Sequence, residues 1–473
     1  MPESASGVRR VVRSPHLPWL FLVLVVGGIL ALQLSIMLLG APDEEAGVER
    51  TVELVNGDFY RNLSIAGTGT EKSAELALDF YQQAFPSPRA YRNAGLIKET
   101  ILQQSGLHYL YEIDSPEATK GLSAAQVREL SDEVTMWRDM FVNANVDAAR
   151  VEDFKSRIED LQVGPLGELA LAEMYSRMGQ AEKAKTHRLA AQRIGSAWLV
   201  KVAVFGAVLI VSVVAGLVVL AIFIFKHAGS LSARTRKTIQ PSVLLLTFLV
   251  YLAANLGLDV VGETIFRLAG LDSAGGMGEV IWLGVRGVFL LGGVALGLSA
   301  LLWITSYTRE DFREIGLKPT SFTRALQWGL AGVCAALPLV LIGFVVTQML
   351  MNTVFKNVYT PESPLHPMIM GSGTAAFVIV FVLAVVVAPL IEETFFRGTL
   401  FNSLRGAMGV WPAVWLSGAI FALVHPFPTH FLPILALGAV LAIIREKTGS
   451  LVPCMVCHGV YNSIVMIYAL VIT

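Results

Sequence analysis

The hydrophobic pattern divides the chain into two kinds of segment. Apolar runs near the length that crosses about 30 Å of hydrocarbon recur at 17–39, 197–225, 243–261, 279–305, 326–350, 375–400, 411–425, 431–444 and 452–472, the seventh and eighth being short. Between the first and second runs lies a polar stretch, 41–196, whose apolar residues recur at helical spacing. The pattern predicts an all-α chain, a polytopic transmembrane helical bundle of about nine spans with an extracytoplasmic helical domain. The predicted boundaries are 1–40 for a cytoplasmic tail and first anchor, 41–196 for the outer domain, 197–319 for spans two to four with their loops, and 320–473 for a final bundle.

Basic residues orient the bundle. Arg9, Arg10 and Arg13 precede the first span, Arg234, Arg236 and Lys237 follow the second, and Arg309, Arg313, Lys318 and Arg324 follow the fourth. Arg405 and the pair Arg445 and Lys447 fall on the same side, whereas the opposite loops hold chiefly Arg267 and Lys356. By the positive-inside rule the N-terminus is cytoplasmic and 41–196 lies outside. A cleaved signal peptide is disfavoured, because the first apolar core exceeds the usual length of about 7–15 residues and "LLGAPDEEAG" offers no small-residue cleavage site. The expected setting is a bacterial cytoplasmic membrane, crossed many times.

Composition supports the membrane setting. Of 473 residues 54% are hydrophobic and 15% charged, which excludes an ordinary soluble enzyme. The net charge of −1 points to no partner, and no nucleic-acid partner is expected. Cys334, Cys454 and Cys457 all sit in apolar runs, so no disulfide framework is predicted for the polar domain. In that domain Leu171, Ala172, Tyr175, Gly179 and Ala184 stand at offsets resembling a tetratricopeptide repeat, and a plain antiparallel helix pair would use the same residues. A repeat would make the domain an interaction surface for a protein partner. Asn62 opens the triplet "NLS", which fits a glycosylation sequon.

Candidate chemistry begins at "PLIEETFFRGTL", where Glu392, Glu393 and Arg397 follow an apolar run. A charge at the centre of a span costs roughly 2.5–3.5 kcal/mol, so such residues usually serve a function. Glu393 and Arg397 are four apart and predicted to pair, while Glu392 points roughly 100° away and keeps its carboxylate unpaired. Pro389 removes a donor from the helix ladder and opens space beside it. "FALVH" then sets Phe421 and His425 on one helix face, and "HGVYN" does the same for His458 and Asn462. An ion-pair network that only ties helices together would use the same three charges. The set of a spare carboxylate, two imidazoles and an amide on three of the last four spans suits the activation of water.

The ordered motifs "EETFFR", "FALVH" and "HGVYN" resemble the CPBP family, the CAAX-processing and bacteriocin-processing (ABI-type) intramembrane endopeptidases, over roughly residues 320–473. The resemblance implies a peptidase acting on a membrane peptide or protein, with Glu392 and His425 activating water and His458 and Asn462 supporting the oxyanion. Glu393 and Arg397 fill the remaining motif positions. No cofactor is favoured; the family's frequent description as metalloproteases would make Glu392, His425 and His458 a His₂Glu zinc set with an open fourth position. "CMVCH", Cys454 to His458, matches a haem-attachment pattern, but its place in an apolar span near the cytoplasmic face argues for coincidence. Asp259 and Arg286 on the third and fourth spans support a rival reading as a transporter, against which stands the lack of an evident inverted repeat. A sensor acting through the outer domain is a third reading.

The orientation is testable by cysteine labelling of intact cells. A probe within 41–196 should react from outside and Ser232→Cys should not; reaction at Ser232→Cys would overturn the assignment.

Overall fold

The structure, a computed structural model, describes residues 16–39, 51–67, 70–120, 122–142, 148–161, 163–227, 241–268, 292–300, 302, 315–317, 320–354, 373–425 and 428–472. Among these the regular elements are helices, and no strand occurs. The chain separates into two compact units, one built from residues 1–40 with 209–467 and the other from 41–208 with 468–473.

The polar unit is a set of helices: α2 (Thr51–Ile65), α3 (Thr70–Gln83), α4 (Pro88–Thr100), α5 (Leu107–Tyr111), α6 (Ala124–Phe141), α7 (Ala148–Asp160), α8 (Pro165–Arg177) and the first part of α9 (Ala181–His227). Their starts follow local chemistry. Ser87 caps α4 ahead of Pro88, Ser123 and Gln126 form a reciprocal capping box on α6, and Pro165 opens α8. Gly179, at φ +72°, turns α8 into α9 in a conformation that favours glycine. Leu171, Ala172, Tyr175 and Ala184 are buried around that turn, in a core centred on Trp137, Tyr81, Phe154 and Leu96.

One carboxylate organises the polar side of this core. Asp58, 2% exposed, accepts from Arg61 at 2.6 Å, from the Tyr81 hydroxyl at 2.5 Å and from Arg89 at 2.7 Å. Burial, reinforced by the Asp58 charge, pushes the Tyr81 hydroxyl well above its ordinary titration range. Glu133 takes two bonds from Arg92, each 2.6 Å, and one from the Trp137 indole at 2.8 Å. Asn62 is buried and its side-chain oxygen accepts from Arg61, so the "NLS" triplet is closed to modification in the folded domain.

The membrane unit contains α1 (Leu17–Leu39), the rest of α9, α10 (Pro241–Leu268), α11 (Phe322–Thr353), a long composite helix α12 (Gly373–Met408), α13 (Val410–Leu423), α14 (Phe431–Thr448) and α15 (Val452–Ile472). By length and composition α9, α10, α11, α12 and α15 each can cross a membrane, and α1 and α13 contribute shorter apolar stretches. The chain is an integral membrane protein with a helical-bundle fold. Of the predicted fourth span only 292–300 and 302 are described, as are none of the basic residues placed at 9–13, 234–237 and 309–318; Arg286 and the side chain of Asp259 also lie outside the described residues. Small residues permit close helix approach: a Cβ on Gly216 of α9 would collide with the carbonyl oxygen of Cys334 on α11, and Gly438 of α14 lies against Gly418 of α13.

Composite helix α12 is the unusual element. It runs as α-helix over Gly373–Val382, widens into a π-turn at Leu383–Val387, returns to α-helix over Ala388–Phe395, widens again at Phe396–Leu400 and finishes at Phe401–Met408. The two wide turns bracket the segment that carries Pro389, Glu392 and Glu393. Such π-turns occur disproportionately at functional sites.

Asp58 provides the test of the polar unit. Asp58→Ala leaves Arg61 buried without its counter-ion and should cost about 3–5 kcal/mol, read as a lower unfolding midpoint of the polar unit in the intact chain. An unchanged midpoint would contradict the assignment of Asp58 as its organising charge.

Candidate active site

The first π-turn shifts the hydrogen-bond register of α12 by one residue. The amide of Ala388 bonds to the carbonyl of Leu383, five residues back. In that register the next carbonyl, Ala384, faces residue 389, and Pro389 has no N–H to offer. Asn462 of α15 supplies the missing donor, its Nδ2 lying 2.7 Å from the Ala384 oxygen. Gly459, one turn earlier on α15, permits this approach, since a Cβ there would stand 2.5 Å from the Val385 oxygen. Pro389 thus fixes where α15 docks.

The two adjacent glutamates are sorted by the helix. Glu393 is fully buried; its Oε1 lies 3.2 Å from Nη1 of Arg397, an ion pair whose angle falls short of a hydrogen bond, and accepts from Nδ1 of His458 at 2.9 Å. Arg397 is held by three groups: the Glu393 carboxylate, the Gly438 carbonyl of α14 at 3.2 Å, and the face of the Phe421 ring with its guanidinium carbon 4.2 Å from the centroid. Glu392 keeps 24% of its side chain exposed, and its Oε2 makes no hydrogen bond and lies 3.9 Å from Nε2 of His458. The predicted Glu393–Arg397 pair is therefore present, and Glu392 faces an imidazole.

Both histidines are fixed through Nδ1. His425 places Nδ1 at 2.7 Å from the Phe421 carbonyl, and since a carbonyl only accepts, Nδ1 carries the hydrogen and Nε2 of the neutral ring is the free lone pair. His458 donates Nδ1–H to Glu393, so its Nε2 is likewise the basic position, turned toward Glu392. The Phe421 ring lies between them, edge-on to His425 at 5.0 Å and to His458 at 5.7 Å. Glu392, Glu393, Arg397 and His458 are thus one contiguous cluster, His425 joins it across Phe421, and Asn462 is bonded to the backbone of the same helix that carries the glutamates. Among the described residues no three His, Cys, Asp or Glu side chains gather as a metal-holding group. Cys454 and Cys457 are fully buried free thiols, and His458 is turned to the glutamates, so the haem-like spacing has no accessible haem-attachment site.

Two contributors went unnoticed in the sequence. Tyr251 of α10 stacks flat on Phe395, with ring centroids 3.8 Å apart and an interplanar angle of 4°, and so supports the glutamate segment from behind. Gln33 of α1 reaches the end of α13, with Nε2 at 2.5 Å from the Leu423 oxygen and 3.1 Å from the His425 oxygen. Its signal was available: it is the one amide or ionisable side chain within the apolar helix Leu17–Leu39.

Among the described residues a helical bundle thus gathers two carboxylates, a guanidinium and two imidazoles within its apolar body, where ionisable groups usually serve a function. Residues 374–464 match the family model described as type II CAAX prenyl endopeptidase Rce1-like. That segment contains all six motif residues and is similar to an Rce1-like endopeptidase domain, and it lies in a chain that has, among the described residues, five helices long and apolar enough to cross a membrane. No curated protein and no solved structure matches the chain.

Proposed function

We propose that the chain hydrolyses peptide bonds of membrane-associated proteins or peptides, with Glu392 as the base that activates water. The observation that carries this reading is the different standing of neighbouring carboxylates: Glu393 is wholly buried with its Oε1 shared by Arg397 and His458, while Glu392 is partly exposed and its Oε2, without a hydrogen-bond partner, stands 3.9 Å from His458 Nε2. That separation exceeds a direct hydrogen bond and suits a water bridging both groups. Glu392 takes one proton from this water as its oxygen attacks the scissile carbonyl carbon. The tetrahedral oxyanion is met by donors, of which the second N–H of Asn462 is one, the first being used by Ala384. When the C–N bond breaks, the proton on Glu392 passes to the departing amine. His425, fixed by Phe421, orients the water or substrate, and Glu393 holds His458 in the matching tautomer.

Zinc on Glu392, His425 and His458 is the second reading. Imidazoles that commit Nδ1 to a carbonyl or carboxylate and offer Nε2 are oriented as metal ligands usually are. The three side chains do not form a metal-holding group in the present geometry, and the steps above need only the chain's own groups. The family match favours prenylated CAAX proteins as the substrate class, with bacteriocin-like peptides the other class suggested by the motifs. In this reading the N-terminus is cytoplasmic, the host membrane is a bacterial cytoplasmic membrane, and the outer helical unit engages a protein partner.

Glu392→Gln should lower cleavage of a reconstituted membrane peptide by about 10²- to 10⁴-fold, whereas Asp259→Asn should leave it largely intact. Equal losses in both, or proton-coupled flux that depends on Asp259, would favour a transporter. Stoichiometric zinc in active protein, lost together with activity in His458→Ala, would establish the metal reading instead.

A further inference from the structure

The last turn of α13 leaves four backbone carbonyls without amide partners inside the helix. The structure accounts for every one. The Ile420 oxygen accepts from the Val424 amide, the Phe421 oxygen from His425 Nδ1, and the Ala422 oxygen from the His425 amide. The remaining carbonyl, Leu423, accepts from Gln33 Nε2 at 2.5 Å, and the same nitrogen lies 3.1 Å from the carbonyl of His425 itself. Three consecutive groups of His425, its amide, its ring and its carbonyl, are thus each tied down, the last by a residue nearly four hundred positions away in sequence.

We infer that Gln33 is a positioning residue of the active site: through the Leu423 and His425 carbonyls it closes the end of α13 and holds the His425 imidazole in one tautomer and one orientation. The first helix is then a component of the catalytic unit as well as an anchor, although it lies outside the segment matched to the endopeptidase family, 374–464. The alternative, a polar side chain merely satisfied by the nearest backbone, would leave His425 indifferent to its loss. A Gln side chain in hydrocarbon needs partners for its own N–H groups, but that need alone does not choose carbonyls on both sides of the one histidine at the end of α13. The catalytic part of this inference rests on the proposed function; the positional part does not.

The test uses the full-length protein in lipid bilayers, with the ¹⁵N-labelled imidazole of His425 followed by solid-state NMR and peptide cleavage measured in parallel. Wild-type His425 should show a single neutral tautomer with Nδ1 protonated. Gln33→Met, equal in length but without a donor, should give mixed tautomers or a shifted, broadened signal, and should lower kcat by about 10- to 100-fold, the usual penalty for misorienting a catalytic group, with KM little changed. Gln33→Glu, whose neutral acid keeps one donor of the same reach, should restore the single tautomer in part and serves if the Met variant does not fold. Leu30→Ala, at an exposed position on the same helix, should alter neither readout. An unchanged His425 signal in both Gln33 variants would overturn the inference whatever the activity. A signal change in a protein that shows no peptidase activity in any form would sustain the positioning role and sink the proposed function.

Discussion

The membrane unit depends on a single buried carboxylate with two cationic or hydrogen-bonding neighbours. Glu393 sits at zero exposure between Arg397 and His458, and each of its partners ties down a different helix: Arg397 reaches the Gly438 carbonyl of α14 and the Phe421 ring of α13, and His458 belongs to α15. In an apolar interior the removal of any one member strands the others uncompensated, so the cluster behaves as one unit. Its geometry also determines what Glu392 can do. With Oε1 of Glu393 shared by Arg397 and His458 Nδ1, the carboxylate that faces the other nitrogen of the His458 imidazole is Glu392.

Backbone register explains how these side chains come together. A regular α-helix through 373–408 would give every carbonyl an amide except at Pro389; the π-turn at Leu383–Val387 moves that defect onto Ala384, where Asn462 meets it. The same residue that docks α15 therefore stands one helical turn from His458, which docks on Glu393. Helix ends are treated in the same way at α13, where side chains from its own last turn and from α1 satisfy the carbonyls. In hydrocarbon, satisfying stray backbone groups and placing catalytic side chains become a single task.

Much of this was legible in the sequence because it follows the i, i+4 spacing. Glu393 with Arg397, Phe421 with His425, and His458 with Asn462 each lie along one helix face, and their order on successive helices carried the family resemblance. The helical content, including that of the polar stretch between the first two apolar runs, was equally plain from hydrophobic periodicity. The π-turns were not, because periodicity assumes a constant register and Pro389 alone does not say whether a helix kinks or widens. The contacts of Gln33, Tyr251 and Gly438 were invisible for a different reason: they join residues from remote parts of the chain, and no local pattern specifies which helices become neighbours. Asn462 shows the limit most clearly, since its spacing suggested a free donor beside His458 and the structure finds it bonded to Ala384 as well.

The central claim is that water, activated at Glu392, cleaves a peptide bond within this bundle. It is tested most directly by incubating the purified full-length protein, reconstituted in liposomes, with a defined membrane peptide in H₂¹⁸O and analysing the products by mass spectrometry. The account predicts two fragments whose masses sum to the peptide plus one water, with a single ¹⁸O in the new C-terminal carboxylate. An intact peptide, or cleavage that leaves a fragment covalently attached to the protein before release, would contradict it.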